Sequence, residues 1–210
     1  MKWYNVGTKV KSGGNMNNEE KLIEFLKNNN GYISTSELLE LNIYKSQIDF
    51  YINKGIIERV SHGLYMDTRL FKDEYYILQK KYPSAIFSYN TALHILNLTN
   101  KTPSEIDITV PRDKRVRGNY NVHRVSDNYY EIGIIEVMSP FGNPVKVYNA
   151  ERCICDMLRN EKEFDLELQN RVLDYYFSSK DKNLELLLEY SKKFNIYEKV
   201  NTIVEVMMKW

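Results

Sequence analysis

The spacing of apolar residues between Asn17 and Asp67 constrains the fold of this chain more than any other feature. Three stretches follow the helical period of 3.6 residues, and two short stretches after them follow the strand period of two. Residue types that stop helices, Asn28–Gly31 and Gly55, follow the first and third helical stretches. The sequence therefore predicts three helices: one with Leu22, Ile23, Phe25 and Leu26 on its inner face, one capped within Ser34–Glu37, and one over Lys45–Lys54.

The two strand-like stretches are Ile56–Val60 and Leu64–Met66, and the residues between them are Ser61, His62 and Gly63. A three-residue separation that contains glycine is typical of a β-hairpin. Three helices followed by a hairpin form the layout of a winged helix-turn-helix. We predict such a DNA-binding domain over residues 17–68.

The third predicted helix carries side chains that suit contact with DNA. An α-helix fits the major groove, and a hairpin reaches the neighbouring backbone or minor groove. Asn and Gln amides pair with adenine, and Lys ammonium groups hold phosphates. We predict DNA-binding residues in three groups: Lys45, Gln47 and Asn53 toward bases, Lys54, Arg59 and His62 toward the backbone, and Ser46 on the same outward face.

The same outward face also holds Asp49 and Phe50, which are poor choices for a DNA surface. Winged helices also serve as protein-docking domains. The alternative function is therefore an interaction module that uses this domain for docking, without specific DNA binding.

The charge of the chain is nearly balanced overall but uneven along the sequence. Of the 210 residues, 29 are Lys or Arg and 28 are Asp or Glu, a net charge of +1, which argues against a histone-like polycation and an acidic mimic. Residues 1–16 carry three lysines and no acid, and we predict a flexible basic leader there. A second basic segment between residues 111 and 125 predicts a phosphate-binding loop with Arg112, Lys114, Arg115 and Arg117.

The rest of the chain, residues 69–210, alternates helical and strand patterns. Glu105–Val110 has the polar–apolar alternation of a half-buried strand, and three later segments can pair with it. Four helical stretches follow, the first of which places Arg152 and Asp156 one turn apart as a surface or structural ion pair. We predict an α+β fold, with a small antiparallel sheet packed with helices and a helical C-terminal part.

The motifs of several enzyme classes are missing from the sequence. Nucleotidyltransferases need an Asp-x-Asp pair for metal ions, and none occurs. Glu105 and Asp107 are strand acids, which leaves a metal-dependent nuclease as a third, weaker hypothesis. Cys153 and Cys155 lack the second pair of ligands that a zinc site needs. We expect no enzyme activity, no cofactor and no metal.

Two further features bear on location. The uncharged stretch Ala85–Asn100 is too short and too polar to span a bilayer, and the N-terminus has no apolar run typical of a signal peptide. The two cysteines lie two apart in a predicted helix, where their side chains diverge and cannot easily bridge. We expect a cytoplasmic protein without membrane contact.

Several segments of the sequence resemble the AbiEi-type antitoxins, the transcriptional regulators of bacterial abortive-infection toxin–antitoxin systems. The resemblance starts near residue 18 and runs to the end, and the wing motif with Gly55, Arg59 and Gly63 is its most specific part. The segments that carry it are Gly31–Leu38, Lys54–Tyr65, Pro83–His94, Pro103–Pro111, and Pro144–Arg152 followed by Asp156 and Leu158.

This resemblance implies a repressor of its own operon that binds inverted repeats in double-stranded DNA near its promoter. It also implies a C-terminal domain that counteracts a cognate nucleotidyltransferase-like toxin in phage defence, without a stable complex between the two proteins. The sequence departs from the family pattern in the third helix. Asp49, Phe50 and Asn53 stand where such proteins often have arginines, and Tyr44 replaces a small polar cap.

Overall fold

The computed structural model describes residues 16–208 and divides the chain into two compact units, Met1–Lys72 and Asp73–Trp210. Their described parts are the N-terminal unit, residues 16–72, and the C-terminal unit, residues 73–208. The basic leader predicted over residues 1–16 lies outside the described residues except for Met16. The sequence-based boundary, after residue 68, lies in the same exposed segment as the structural boundary after Lys72.

The N-terminal unit has its elements in the order expected for the predicted winged helix-turn-helix. Asn17 and Ser34 each cap a helix, and their backbone N–H groups donate to the carboxylates of Glu20 and Glu37. The strands form an antiparallel sheet in the order β1-β3-β2, in which β1 is an addition to the prediction. The elements are α1 (Asn18–Asn28), β1 (Tyr32–Ser34), α2 (Thr35–Glu40), α3 (Lys45–Asn53), β2 (Ile57–Ser61) and β3 (Leu64–Asp67).

Apolar side chains from all six elements meet in one core. Ile48 and Tyr51 are the contribution of α3, and they are buried against residues of the other helices and of the sheet. Burial of these two side chains fixes the rotation of α3 about its axis, so that its opposite face points to solvent. The other core residues are Leu22, Leu26, Ile33, Leu38, Ile43, Ile57 and Tyr65.

The C-terminal unit packs helices on a five-stranded sheet with the order β6-β5-β4-β8-β7. Within residues 16–208, no helix is both long and apolar enough to cross a membrane. A 3₁₀ turn, Glu161–Glu163, follows α7. The elements are α4 (Glu74–Lys81), β4 (Ile86–Phe87), α5 (Tyr89–Ile95), β5 (Ile106–Pro111), β6 (Tyr120–Val125), α6 (Asp127–Tyr130), β7 (Ile134–Met138), β8 (Pro144–Tyr148), α7 (Ala150–Arg159), α8 (Leu166–Ser178), α9 (Leu184–Lys193) and α10 (Tyr197–Met207).

The α+β class is confirmed, but the sheet is mixed rather than wholly antiparallel. The pairs β4–β5 and β7–β8 are antiparallel, whereas β5–β6 and β4–β8 are parallel. Residues 112–119 alone connect β5 to β6. A connection this short is typical of a hairpin, because parallel crossovers usually need about a dozen residues or more. Eight extended residues span at most about 29 Å, which suffices to return along a six-residue strand of about 20 Å.

Helix α7 is the buried centre of the C-terminal unit, and Arg152 is its largest fully buried side chain. Its Nε donates to Asp156 Oδ2 at 2.8 Å, and its Nη1 donates to the carbonyl oxygens of Tyr129 at 2.6 Å and Ile132 at 2.9 Å. The guanidinium also lies over the ring of Tyr148, 4.1 Å from its centroid. The pair predicted at Arg152 and Asp156 is therefore structural.

Both cysteines are free, as the sequence predicts from their spacing, and both are buried in α7. Burial raises the pKa of the Cys153 thiol and raises that of Cys155 to about 12. At neutral pH both are therefore protonated thiols, which react slowly because the thiolate is the nucleophile.

Candidate nucleic-acid interface

Helix α3 begins at Lys45, directly after the N-cap residue Tyr44, whose backbone is extended. Gln47 supplies part of the cap, since its side-chain Oε1 accepts a hydrogen bond from the Tyr44 backbone N–H at 3.0 Å. The helix ends before Gly55, which takes a left-handed backbone with φ of +72°. This hydrogen bond occupies the Gln47 Oε1 atom, so a base contact that uses Oε1 requires that the bond open.

The solvent-facing side of α3 consists of the residues that the helical period predicts. Ile48 and Tyr51 point inward and are buried, Ile52 and Gln47 are half-buried, and the remaining side chains are exposed. Lys45, at the N-terminal end, forms no ion pair with any residue of the described chain. We call the exposed set the α3 face: Lys45, Ser46, Asp49, Phe50, Asn53 and Lys54.

Lys54, predicted to contact phosphate, is held by an acid from another helix. Its Nζ lies 2.5 Å and 2.7 Å from the two carboxylate oxygens of Glu19 on α1. Both side chains are partly exposed, so the pair gains little stability and can exchange with solvent. Contact between Lys54 and a phosphate requires that this ion pair open.

The hairpin formed by β2 and β3 carries the remaining predicted residues. Arg59 is exposed, and its Nη2 donates to the Tyr65 hydroxyl at 2.9 Å. This hydrogen bond, with a smaller contribution from Asp49, raises the pKa of the Arg59 guanidinium. The register shifts between Arg59 and Ser61, and Gly63 with φ of +69° completes the turn that exposes His62. Arg59 is therefore charged, oriented and accessible.

The electrostatics of the N-terminal unit are weak. Residues 16–72 hold seven basic and eight acidic side chains, a net charge of −1 with His62 neutral. Counterion release from phosphate contacts supplies much of the affinity of DNA-binding proteins. A DNA-binding domain with this charge would have to obtain a larger share of its affinity from contacts to bases.

The basic loop, residues 112–117 in the C-terminal unit, exposes all four cations that the sequence singles out. Lys114 pairs with Asp113 at 3.0 Å, whereas Arg112, Arg115 and Arg117 form no ion pair with the described residues. The Tyr82 hydroxyl donates to the carbonyl oxygen of Arg117 at 2.7 Å, and lies 3.1 Å from its N–H. Because both bonds use backbone atoms of Arg117, Tyr82 still holds the loop when the Arg117 side chain is replaced.

Sequence reasoning missed the partner of one of the two strand acids: the buried Asp107 pairs with the half-buried His123. Asp107 Oδ1 lies 3.0 Å from Nε2 of His123, whose ring stacks on Tyr89 with centroids 3.6 Å apart. The pair depends on the parallel register of β5 and β6, which local sequence does not reveal. Asp107 also lines a cavity of about 220 Å³ together with Asn90, Asn121 and Glu105. Among residues 16–208, no group of three or more His, Cys, Asp or Glu side chains could hold a metal ion.

Comparison with known proteins bears mainly on the N-terminal unit. Residues 20–66 match a family model described as transcriptional regulator, AbiEi antitoxin. The match begins within α1 and ends within β3, so that it includes α2 and α3. It agrees with the resemblance carried by Gly31–Leu38 and Lys54–Tyr65. The resembling segments beyond residue 66 lie outside it. No curated protein matches the sequence.

The fold of the chain is similar to a solved structure, the crystal structure of the RV2827C protein from Mycobacterium tuberculosis. The TM-score is 0.60, and the similarity covers 90% of this chain and 77% of that chain. Sequence identity is 12%, so this likeness concerns the fold. The fold similarity thus extends into the C-terminal unit, beyond the segment that the family model matches.

Proposed function

We propose that the protein is a cytoplasmic, sequence-specific DNA-binding repressor that regulates its own toxin–antitoxin operon. The observation that carries the proposal is the α3 face, which is exposed, polar and cationic at its N-terminal end, within the segment that matches the AbiEi family model. The proposal assigns no catalytic step, cofactor or metal to the chain. It rests on the geometry of this unit and on the family description together.

In the proposed complex, α3 lies in the major groove and the hairpin follows the adjacent backbone. Lys45, Gln47 and Asn53 face bases, and Ser46 lies on the same outward side of the helix. Arg59 and His62 contact phosphates, as does Lys54 when its ion pair with Glu19 opens. Two copies on inverted repeats would place their α3 helices one DNA turn apart, about 34–36 Å, or a multiple of it.

The C-terminal unit is proposed to counteract a nucleotidyltransferase-like toxin in abortive-infection phage defence, without forming a stable complex with it. The basic loop is the surface that supports this role. Its exposed cations suit a polyanion, either the DNA backbone beside the operator or an RNA substrate of the toxin.

A second candidate function is a docking module that binds protein through the α3 face. The exposed ring of Phe50 and the net charge of −1 in residues 16–72 favour it. In that case the chain co-purifies with the product of an adjacent gene and binds no promoter DNA.

The proposed function is tested by titrating the purified chain against its own upstream DNA and against a scrambled duplex of equal length, at several salt concentrations. We expect tighter binding to the upstream duplex and an affinity that falls as salt rises, since phosphate contacts release counterions. Equal affinity for both duplexes, or binding to neither, would contradict the proposal and favour the docking module.

Breaking the ion pair between Lys54 and Glu19 is expected to strengthen DNA binding, whereas most substitutions in a binding surface weaken it. Glu19→Gln releases the Lys54 ammonium, and we expect tighter binding to the upstream duplex with a salt slope steeper by up to about 0.9, the value for one phosphate contact. The measurement is log K against log salt concentration.

The matched control is Glu24→Gln, which removes the same charge from an exposed position of the same helix, where the carboxylate pairs with no lysine of the described chain. If both variants change the slope equally, the effect is one of net charge and Lys54 does not contact DNA.

A further inference from the structure

Phe50 is the exception on the α3 face. Its side chain is 56% exposed in the middle of an otherwise polar surface. Its ring meets Tyr51 edge-on with centroids 5.4 Å apart, and Lys54 Nζ lies 5.8 Å from the ring centroid. Tyr51 is itself anchored in the core. The Phe50 ring is thus presented outward on a fixed helix, flanked one turn away by Ser46 and Asn53.

An apolar ring has one specific partner in the major groove, the C5-methyl group of thymine. The neighbouring Asn53 amide has a complementary partner, the N6 and N7 edge of adenine. Three residues advance about 4.5 Å along a helix, while successive base pairs rise about 3.4 Å. Side chains at positions 50 and 53 therefore reach neighbouring base pairs.

Asp49 limits which bases this part of the face accepts. Its carboxylate is an acceptor only, and the guanine edge in the major groove presents the acceptors N7 and O6. Two acceptors repel each other, so the Asp49 carboxylate disfavours guanine there. The amino groups of adenine and cytosine are donors and can bond to the carboxylate. The weak charge of residues 16–72, −1, makes such base contacts more important to affinity.

We infer that Phe50 is a specificity-determining residue that reads thymine methyl groups, so that each operator half-site holds a T beside an A in the segment under α3. The inference rests on the proposed function, because it requires that α3 lie in the major groove. It goes further by naming the base pairs read and the residue that reads the methyl group.

The test removes the methyl groups without changing the hydrogen-bonding edges. The chain's own upstream duplex is prepared with deoxyuridine in place of thymidine, and affinities for the two duplexes are compared. A buried methyl is worth about fourfold in affinity, so two half-sites give a loss of about 15-fold. Phe50→Ala should lose a similar factor on the thymidine duplex and show no further loss on the deoxyuridine duplex.

Phe71→Ala is the matched control, because Phe71 is 87% exposed in the same unit but lies outside α3. It should keep the wild-type preference for the thymidine duplex. The comparison of the thymidine and deoxyuridine duplexes uses the unmodified chain, so a folding defect in a variant cannot mask its result. Specific binding with equal affinity for both duplexes overturns the inference and leaves the proposed function standing. Absence of any preference for the upstream sequence overturns both.

Discussion

Replacing Arg152 with alanine is expected to lower the free energy of unfolding of the C-terminal unit by about 3–5 kcal/mol, the usual cost of removing one partner of a buried ion pair. Asp156 stays buried and loses its closest cation, keeping the more distant Arg159, whose Nη1 lies 3.8 Å from its Oδ1. The carbonyl oxygens of Tyr129 and Ile132 lose their donor. The rings of Tyr148 and Phe194 also lose the guanidinium that lies against them. The substitution therefore removes an ion pair, two hydrogen bonds and two ring contacts together.

Urea unfolding followed by labelling of Cys153 and Cys155 gives the measurement. Both cysteines of the sequence are buried in α7, so their labelling reports on this unit. The matched control is Arg171→Ala, which breaks the pair with Glu167 at the same i, i+4 spacing on the exposed surface of α8. We expect the control to cost about 0.3–0.5 kcal/mol. Equal costs for the two variants would show that Arg152 does not organise the unit.

The loss in free energy of unfolding caused by Arg152→Ala should depend on pH. Burial raises the pKa of Asp156 in the folded chain, and Arg152 partly opposes this shift. Without Arg152 the folded pKa rises further above the unfolded value of about 3.9. Between these two values the folded state binds more protons than the unfolded state, so stability falls as pH rises. The stability that Arg152→Ala loses relative to the unmodified chain is therefore expected to be smaller near pH 4, about the pKa of Asp156 in the unfolded chain, than at neutral pH.

Neutralising the basic loop is expected to have the largest effect on DNA binding. With Arg112, Arg115 and Arg117 changed to glutamine, the slope of log K against log salt should fall by about 2.7, at about 0.9 for each phosphate that no longer has a cationic partner. Affinity for the upstream duplex at about 0.1 M salt then falls by two to three orders of magnitude. The fold should persist, since Tyr82 anchors the loop through backbone atoms.

The control for the loop removes the same number of charges elsewhere in the C-terminal unit, at the exposed residues Lys80, Lys180 and Lys192. If the two triple variants share one salt slope, the loop makes no specific contact with the operator backbone. Binding of a single-stranded RNA by the unmodified chain, weakened by the loop variant alone, would then assign the loop to the RNA substrate of the toxin.

Local sequence was sufficient to predict the α3 face but not the partners of its charges. The helical period orients Ile48 and Tyr51 inward, which exposes Asn53 and its neighbours. The contact between Lys54 and Glu19 joins residues far apart in sequence, and no local pattern indicates it. The predicted contact of Lys54 with the DNA backbone therefore competes with its ion pair to Glu19.

The sheet of the C-terminal unit is a stronger example of contacts that local sequence does not indicate. The strand pattern of β5 and β6 is visible in the sequence, but their parallel register is not, because strand pairing is non-local. Strand β4 has only two residues, Ile86 and Phe87, which is too short to display a period. The pair of Asp107 and His123 follows from that register and was missed for this reason.

The central claim is that the α3 face reads DNA bases, and the most direct test is the ratio of affinities for the upstream and scrambled duplexes. In the double variant Lys45→Ala, Asn53→Ala we expect this ratio to fall at least about fivefold, since a bidentate base contact is worth about 1–3 kcal/mol. The control, Lys27→Ala with Asn28→Ala, removes the same residue types from the exposed end of α1 and should preserve the ratio. A preference for the upstream duplex that survives unchanged in the α3 variant would contradict the account.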